Sequence, residues 1–553
     1  MIAVQREEKD EAKSKHNNKP RIAVFSGANT TVANSPPLVT SNKGRLPGER
    51  MLEGRFDHLV PQLLYEPVTV RIRKYTAHPL EEDAREVYYD DGDGKDYYEV
   101  TLKPEDGLYP LPYMARRKTK DSPTGQPFEP EDLSDASMNY GGRQFFYPDA
   151  SRIFEEIDRG IYGRDSNGVA NTLGSRAEYD FLRVIPAGGY TKKGEVAGID
   201  YFPYRPEAIA KVTRVRDLAR VANKVQHALS SGRYDGGIWF DGSPQLEETL
   251  YWLNLLVDTD LPIVGVSAQR PHGQLSNDGD RNIVDAVDYI VSGAGRGLGA
   301  VAVIDQRVYA AREVKKGDTR PGGYKSSGGH GGVLGAVNSS RVTIWYRPTY
   351  KHTSTSDVNL SRLPTYLEFP DSIGGPVVKL EIKQKNNGGF EELLGSSLPL
   401  VDVLKYSSYS QESERGEQDD SREVAIRALI ERAEIDRRTG DRPKLHGLVL
   451  EGSGGLAKGT RAQMKALSRA AMSGIPVVRT MRSDPEGEVP TNPRDLTIEG
   501  SNLDSNKARL LLIATMLKLG RLPRARDPAN PSAKEREAVL DKIALFQKIF
   551  ESH

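Results

Sequence analysis

The sequence predicts an α/β protein built from two doubly wound domains, with a large insertion in the first. Short apolar runs alternate with amphipathic segments between residues 215 and 266, and a second such pattern follows a polar stretch that contains proline. Strands and helices that alternate at this spacing favour parallel sheets with helices on both faces. Regular periodicity is lost between residues 76 and 197, which predicts an insertion or a long lid there.

The first domain is predicted over residues 21–357, after a charged, disordered tail of residues 1–20. Its first strand is the apolar run 21–25, which stops at the turn sequence SGANTT. A helix is predicted at 215–229, where apolar residues share one face and Gly232 supplies a stop. Strand 236–240, helix 246–256 and strand 262–266 complete the alternation.

The second domain is predicted over residues 366–553, beyond a polar linker at 358–365. Its strands are predicted at 377–382, 445–450 and 476–479. The chain ends in a helix that Ser532 and Glu535 open, since they stand at the spacing of a capping box.

Composition narrows the class of protein. Lys plus Arg and Asp plus Glu both number 77 among 553 residues, so the basic surplus that drives nucleic-acid binding is missing. No apolar run reaches the roughly 18 residues that a membrane span needs, and residues 1–20 lack the apolar core of a secretory signal. We therefore expect a cytoplasmic protein with neither nucleic acid nor membrane as partner. Without cysteine, and with no close histidine pair, we infer no metal and no cofactor.

Three turns that follow predicted strands are the candidate ligand sites. They are SGANTT at 26–31, DGSPQLEET at 241–249 and VSAQRP at 266–271. Ligands of parallel sheets bind beyond the carboxyl ends of the strands, and backbone N–H groups there can hold an oxyanion or carboxylate. Any single Ser or Thr could equally be a turn or capping residue.

The order of these turns resembles the asparaginase/glutaminase family. Residues 234–290 match its HGTDT-type turn, EET helix, GAxRP strand end and SxDGxxN segment in sequence order. Further matches are REVKKGDT at 312–319, KHTSTSDVNL at 351–360, HGLVLEGSGG at 446–455 and NLDSNKARLLL at 502–512. The resemblance implies the family's two-domain fold, a homodimer or homotetramer, and an amidohydrolase that forms an acyl-enzyme on a threonine.

On this resemblance, Thr31 is the leading nucleophile and Thr30 the alternate, while Ser243 takes the place of the second reactive threonine. It also implies a substrate site built from residues of the second and third turns and from two outlying positions: Asp241, Gly242, Gln245, Ser267, Ala268, Tyr201 and Lys458.

Several positions depart from the family pattern. Pro244 replaces the aspartate that holds a substrate's α-amino group, and Tyr201 replaces the serine that holds the α-carboxylate. The segment 291–297, where we expect the lysine that activates the second threonine, contains none. Lys458 is one replacement for the missing acid/base groups, although a solvated lysine is the alternative.

Three hypotheses follow. The first is a hydrolase that cleaves a C–N bond in a lactam, cyclic imide or other small amide, and not in asparagine itself. The reason is that the residues expected to bind the substrate's α-amino group and α-carboxylate are both changed. The second is a non-catalytic protein that binds a small molecule or a partner on the same fold. The third is one subunit of a larger amidase or amidotransferase complex.

Overall fold

A computed structural model describes the protein at residues 19–26, 176–183, 214–243, 245–270, 278–327, 329–386, 388–406, 423–439, 444–482, 489 and 495–553. Between residues 38 and 112 it also describes six strands through their backbone. Thr30, Thr31 and Tyr201 lie outside the described residues.

The six strands between residues 38 and 112 form two small antiparallel sheets, in the orders β2-β4-β6-β5 and β3-β7. Numbered after β1 (Arg21–Ser26), they are β2 (Leu38–Thr40), β3 (Leu59–Leu63), β4 (Val68–Arg73), β5 (Tyr89–Asp90), β6 (Asp96–Leu102) and β7 (Leu108–Pro112).

The first domain is organised around an eight-stranded sheet of order β16-β15-β12-β11-β10-β9-β1-β8. Its strands after β1 are β8 (Glu178–Arg183), β9 (Gly236–Phe240), β10 (Ile263–Val266), β11 (Ala300–Ile304), β12 (Arg307–Ala310), β15 (Val333–Asn338) and β16 (Arg341–Ile344). Five neighbouring strands of this sheet run parallel to one another: β8, β1, β9, β10 and β11. The sheet then continues through antiparallel pairs, from β11 to β12, from β12 to β15 and from β15 to β16. A separate hairpin pairs β13 (Val314–Lys316) with β14 (Tyr324–Ser326).

Helices cover both faces of this sheet. They are α1 (Asp217–Ser230), α2 (Leu246–Leu256) and α3 (Gly279–Val291). Because side chains alternate along a strand, Val24 of β1 joins the core under α3, whereas its neighbour Phe25 joins the core under α1 and α2. The doubly wound arrangement predicted from the sequence is confirmed. Gly232 follows α1 with φ 73°, in the left-handed region that favours glycine at a helix stop.

The second domain contains a parallel sheet of order β21-β22-β23-β24. Two antiparallel hairpins precede it, and together the strands are β17 (Tyr366–Pro370), β18 (Val377–Glu381), β19 (Lys383–Lys385), β20 (Glu391–Leu393), β21 (Leu400–Lys405), β22 (His446–Gly452), β23 (Val477–Met481) and β24 (Ile498–Glu499). The predicted strand 377–382 therefore exists as β18, but it lies in a hairpin. The first strand of the parallel sheet is β21, which the sequence analysis missed.

Four helices complete this domain: α4 (Val424–Thr439), α5 (Arg461–Met472), α6 (Ser505–Leu519) and α7 (Ala533–Ser552). α4 and α5 share one core with Leu448 and Val477, while α6 and α7 share another with Val449 and Val478 on the opposite face of the sheet. Ser532 and Glu535 form the predicted capping box at the start of α7. No helix in these described segments is both long and apolar enough to cross a membrane.

Two predicted boundaries differ from the structure. β8 falls inside the segment 76–197 that the sequence predicts as an insertion, yet it pairs in register with all of β1 at the edge of the core sheet. Within the predicted linker 358–365, Val358, Leu360 and Leu363 are buried in the second domain's core. Polar residues separate these apolar side chains in the sequence, which is why the segment was predicted to be a linker.

The two domains meet through α6. The buried Lys507 ammonium donates to the carbonyls of Arg312 and Val314, at 2.8 and 2.6 Å. Arg509 Nη2 donates to Glu248 Oε2 of α2 at 3.2 Å. These bonds attach α6 of the second domain to the segment around the start of β13 and to α2.

Candidate active site

Three parallel strands end side by side at one edge of the first sheet. Ser26, the last residue of β1, pairs with Phe240, which ends β9, and Phe240 pairs with Val266, which ends β10. Asp241 and Ser267 are therefore the next residues at this edge. Thr30 and Thr31 follow Ser26 in the sequence, but their turn lies outside the described residues.

Asp241 holds the turn after β9. Its carboxylate accepts from Trp239 Nε1 at 3.0 Å and from the N–H of Gly242 at 2.8 Å. Burial raises the pKa of the Asp241 carboxyl, and hydrogen bonds from Trp239, Thr249 and Gly242 oppose that rise. Because its donors come from β9, from its own turn and from the first turn of α2, Asp241 links these three segments.

Ser243 is buried, at 3% exposure, and its hydroxyl has a defined partner. Ser243 Oγ donates to Gln269 Oε1 at 3.0 Å, and Gln269 Nε2 in turn donates to the Asp318 carbonyl at 3.2 Å. The turns after β9 and β10 are therefore joined through this hydroxyl. Gln245, at the N-cap of α2, donates its backbone N–H to the Gly242 carbonyl at 2.9 Å and closes the Ser243 turn.

Tyr324 links Ser243 to Ser267. The Tyr324 hydroxyl donates to the backbone carbonyl of Ser243, and it lies 3.3 Å from Ser243 Oγ and 3.0 Å from Ser267 Oγ. Burial holds the pKa of the Tyr324 phenol well above its usual value, so the hydroxyl stays protonated at neutral pH. The sequence analysis missed this residue.

The turn after β10 is fixed by Asp278, just before α3. Its carboxylate accepts from the N–H groups of Gln269 and Arg270, at 3.0 and 2.9 Å. Asn282 of α3 donates to the Ser267 carbonyl at 2.9 Å, and Ala268 between these anchors is 1% exposed. The backbone that positions Gln269 therefore has little freedom.

A lysine lies beside Tyr324, although the segment 291–297, where the sequence resemblance placed the activating lysine, contains none. Lys316 of β13 is the direct cross-strand partner of Tyr324 in β14. Its backbone N–H donates to Glu247 Oε2 at 2.8 Å. Partial burial lowers the pKa of the Lys316 ammonium, and the carboxylates of Glu247 and Asp318 oppose that shift. A lysine poised in this way is a better base than a fully solvated one.

Lys458 belongs to the second domain, where it is paired. Its ammonium lies 3.2 Å from Asp495 Oδ2, and its backbone bridges to Ser453. The same carboxylate is 3.7 Å from Nη1 of the buried Arg479, whose guanidinium also donates to Glu499 and Leu456. The Ser243 contacts described above all come from the first domain, so the structure does not bring Lys458 into that group within one chain.

Taken together, the edge of the first sheet presents a buried serine hydroxyl, a neutral phenol and a lysine of lowered pKa within two adjacent turns and one hairpin. Hydroxyls at the carboxyl edge of a parallel sheet, next to a proton acceptor, define a class of α/β proteins equipped for acyl transfer or for tight binding of a small polar ligand.

Comparison with known proteins finds a similarity to asparaginases. Residues 206–350 match the family model described as "Asparaginase, N-terminal". L-asparaginase 2 of Bacillus subtilis is 27% identical over 308 residues, which are 54% of this chain and 66% of that protein. The glutaminase-asparaginase of Acinetobacter glutaminasificans is 29% identical over 204 residues, covering 36% of this chain and 59% of that protein. Residues 206–350 of the chain are thus similar to the N-terminal part of asparaginases, and the similarity to individual relatives is distant.

The aligned regions span two-thirds or less of these relatives. L-asparaginase 2 of Escherichia coli, for instance, is 33% identical over 129 residues, which are 23% of this chain and 37% of that protein. Among solved structures, the probable cytoplasmic L-asparaginase from Campylobacter jejuni superimposes with a TM-score of 0.47 and 22% identity, covering 71% of this chain and 94% of that one.

Proposed function

We propose that the protein is an amidohydrolase that cleaves a C–N bond in a small amide through a hydroxyl nucleophile. The observation that carries the proposal is the environment of Ser243, whose hydroxyl donates to Gln269 and lies next to Tyr324 at the edge where β1 ends. Thr30 and Thr31 follow β1 in the sequence. Weak hydroxyl nucleophiles need this kind of fixed hydrogen-bonding environment and a nearby base. The similarity to asparaginases supports the same reaction class.

In the proposed reaction, the hydroxyl oxygen of Thr31, with Thr30 as the alternate, attacks the amide carbonyl carbon. The hydroxyl proton passes through a base to the leaving nitrogen, so an ester forms on the enzyme as the C–N bond breaks. Water then attacks the ester carbonyl, which releases the carboxylic acid and restores the hydroxyl. Ser243 orients the water or the carbonyl, and neutral Tyr324, whose hydroxyl donates to the Ser243 carbonyl, holds the Ser243 turn in place.

We assign the base to Lys316. It is the cross-strand neighbour of Tyr324, and partial burial lowers the pKa of its ammonium. Neutral lysine accepts the proton of a hydroxyl, whereas a solvated ammonium does not. Of the lysines considered, Lys316 adjoins the Ser243 group and Lys458 is paired with Asp495 in the other domain.

The proposed substrate is a lactam, cyclic imide or other small amide that lacks a free amino-acid head. Pro244 has no charge or side-chain acceptor for an ammonium, and Tyr201 offers bulk where the resemblance implies a serine. Asp241, the nearest carboxylate in this turn, is already occupied by three donors and is 3% exposed. Asparagine and glutamine are the comparison substrates.

A binding protein without catalysis is the second candidate. Its support is that the Ser243 hydroxyl donates to Gln269 and is almost completely shielded. A hydroxyl held in this way can serve as a fixed recognition group. Turnover separates the two candidates.

The test is a product-detected screen of the purified protein against lactams, cyclic imides and small amides, with asparagine and glutamine in parallel. We expect turnover of an amide without the amino-acid head, lost in both Thr31→Ala and Ser243→Ala. Turnover of asparagine would contradict the substrate assignment. A folded protein that binds one of these compounds tightly and releases no product would support the binding candidate.

The homodimer or homotetramer implied by the resemblance remains part of the proposal. In such an assembly Lys458 of one subunit would contribute to a neighbour's site. Sedimentation equilibrium gives the assembly state, and a monomer that turns over substrate would contradict this role of Lys458.

A further inference from the structure

A cavity of about 290 Å³ opens at the amino end of the first sheet, away from the Ser243 group. Ala300, the first residue of β11, and Ala310, the last residue of the antiparallel β12, both line it. Ser243 follows the carboxyl end of β9, and β9, β10 and β11 are parallel. The cavity and the proposed amide site therefore lie at opposite ends of these strands.

An asparagine amide in this cavity has a donor without an acceptor. Asn254 of α2 is 6% exposed, and its Oδ1 accepts from the N–H of Ala300 at 3.0 Å. Its Nδ2 has no acceptor among the described residues and is not fully enclosed, so it is open to the cavity that Asn254 lines. A polar group buried to this extent is costly unless a hydrogen bond satisfies it. A ligand oxygen in the cavity would supply that bond.

His352 places a second polar atom beside this amide. The residue is 9% exposed, its Nδ1 lies 3.1 Å from Thr353 Oγ1, and its Nε2 has no partner within the part of the chain that the structure describes. Burial lowers the pKa of the His352 imidazolium, so the ring is neutral at neutral pH. A Cβ at Gly299 would lie 2.6 Å from Asn254 Oδ1 and 2.9 Å from His352 Nδ1, so glycine is needed there for the two side chains to pack together.

The charged residues of the lining leave one cation unpaired. Arg312 Nη1 lies 3.2 Å from Glu313 Oε1, and Lys351 Nζ lies 2.6 Å from Asp357 Oδ2. Arg347 is exposed and has no carboxylate beside it among the described residues. The lining therefore presents one positive charge that no described side chain balances, which fits a ligand with a single negative charge.

Another part of the wall is apolar and aromatic. It consists of two tyrosines, a leucine and three alanines: Tyr346, Tyr350, Leu298, Ala300, Ala310 and Ala311. Tyr346 is 51% exposed although it lines the cavity, so a bound ring would cover part of its surface. Removing apolar surface from water is favourable, and aromatic rings favour ring partners.

We propose that this cavity binds a small ring compound with one carboxylate group, of the benzoate type. The carboxylate accepts from Asn254 Nδ2 and from Nε2 of His352, whose Nδ1 accepts from the Thr353 hydroxyl, and Arg347 balances the charge. The ring lies against Tyr346 and the apolar wall. A cationic ligand would be repelled by Arg347 and would leave the Asn254 amide unmatched.

A titration of the full chain with benzoate, followed by ligand-observed NMR, tests the proposal. Asn254→Asp keeps the oxygen that accepts from Ala300 but replaces the amide donor with a carboxylate oxygen, which repels the ligand. Arg347→Gln is the second variant, because its exposed side chain can change without opening the core. The matched control is Arg341→Gln, an exposed arginine at the start of β16 that does not line the cavity.

We expect saturable binding that weakens about tenfold or more in Asn254→Asp and about threefold in Arg347→Gln, and that is unchanged in Arg341→Gln. The absence of saturable benzoate binding, or equal weakening in Arg347→Gln and Arg341→Gln, would overturn the site. Because Arg347→Gln changes only an exposed side chain, it decides the result if Asn254→Asp does not fold.

Two analogues and one further variant test the ligand chemistry. Acetate has the charge without the ring, and benzyl alcohol has the ring without the charge, so we expect each to bind about tenfold more weakly than benzoate. Equal binding of acetate would overturn the ring, and equal binding of benzyl alcohol would overturn the carboxylate. Ser243→Ala should bind benzoate as the unmodified protein does; weaker binding would place the ligand in the amide site and overturn the proposal.

Discussion

Replacement of Arg479 by methionine should weaken the second domain more than any exposed substitution nearby. Arg479 is fully buried in β23, and its Nη2 donates to Glu499 Oε1 at 2.6 Å. Its Nε donates to Thr497 Oγ1 at 2.9 Å, and its Nη1 to the Leu456 carbonyl at 2.8 Å. The guanidinium therefore ties β23 to β24 and to the turn that leads to Lys458.

The expected cost follows from what the substitution leaves behind. Removing one member of a buried ion pair costs about 3–5 kcal/mol, chiefly because the remaining charge is still buried. In Arg479→Met the Glu499 carboxylate, which is itself 3% exposed, loses its guanidinium. The double variant Arg479→Met/Glu499→Gln removes that charge and should recover about 2 kcal/mol or more.

Hydrogen exchange, read by mass spectrometry on peptides covering β22 and β23, measures this cost locally. A chain with two domains need not unfold in a single step, so a local opening free energy is the appropriate quantity. Arg482→Met is the control, because that side chain is exposed immediately after the same strand. A loss below about 1 kcal/mol in Arg479→Met, or no recovery in the double variant, would refute the account of this buried pair.

Three further predictions concern the first domain. Tyr324→Phe removes the donor to the Ser243 carbonyl, so we expect the free energy of unfolding to fall by about 1–3 kcal/mol, seen as a lower unfolding temperature, and turnover to slow. An unchanged unfolding temperature and rate would contradict the role of the hydroxyl. Lys316→Met should lower kcat by about 10²-fold or more, whereas Lys315→Met, its neighbour, should not; equal losses would contradict the assignment of the base. Asp285 is fully buried, and desolvation raises its pKa from 3.8 to about 6, against the opposing Arg281. Between about pH 4 and 6 the folded state keeps a proton that the unfolded chain loses, so stability falls as the pH rises. Asp285→Asn should remove this pH dependence and stabilise the protein above pH 6 by up to about 3 kcal/mol. Thermal melts across this pH range that show no difference between the two proteins would contradict the prediction.

The sequence predicted the elements whose signals are local. β1, β9 and β10 are continuous apolar runs that stop at turn residues, and both flanking helices of β9 have apolar faces. These patterns also located the edge of the sheet where Asp241 and Ser243 lie. The structure adds their strand register, which places Ser26, Phe240 and Val266 side by side.

The contacts that complete the site could not be predicted in the same way. Tyr324 is 81 residues from Ser243 and 57 from Ser267, and it reaches both because the β13–β14 hairpin folds back on the sheet. That hairpin also brings Lys316 beside Tyr324, while the sequence reading sought a lysine at 291–297. No periodicity within the hairpin signals these distant partners. β8 was missed for a similar reason, since it pairs with β1 across more than 150 residues of intervening chain.

The central claim is that a hydroxyl at this edge becomes acylated during amide hydrolysis. Intact-protein mass spectrometry after rapid acid quench of a reaction with a slow substrate, or with an activated ester of the same acid, measures it directly. The account predicts a mass increase of one acyl group in the unmodified sequence, absent in Thr31→Ala, and longer-lived in Ser243→Ala if that hydroxyl orients the water. Turnover without any acyl adduct, or an undiminished adduct in Thr31→Ala and Thr30→Ala alike, would contradict it.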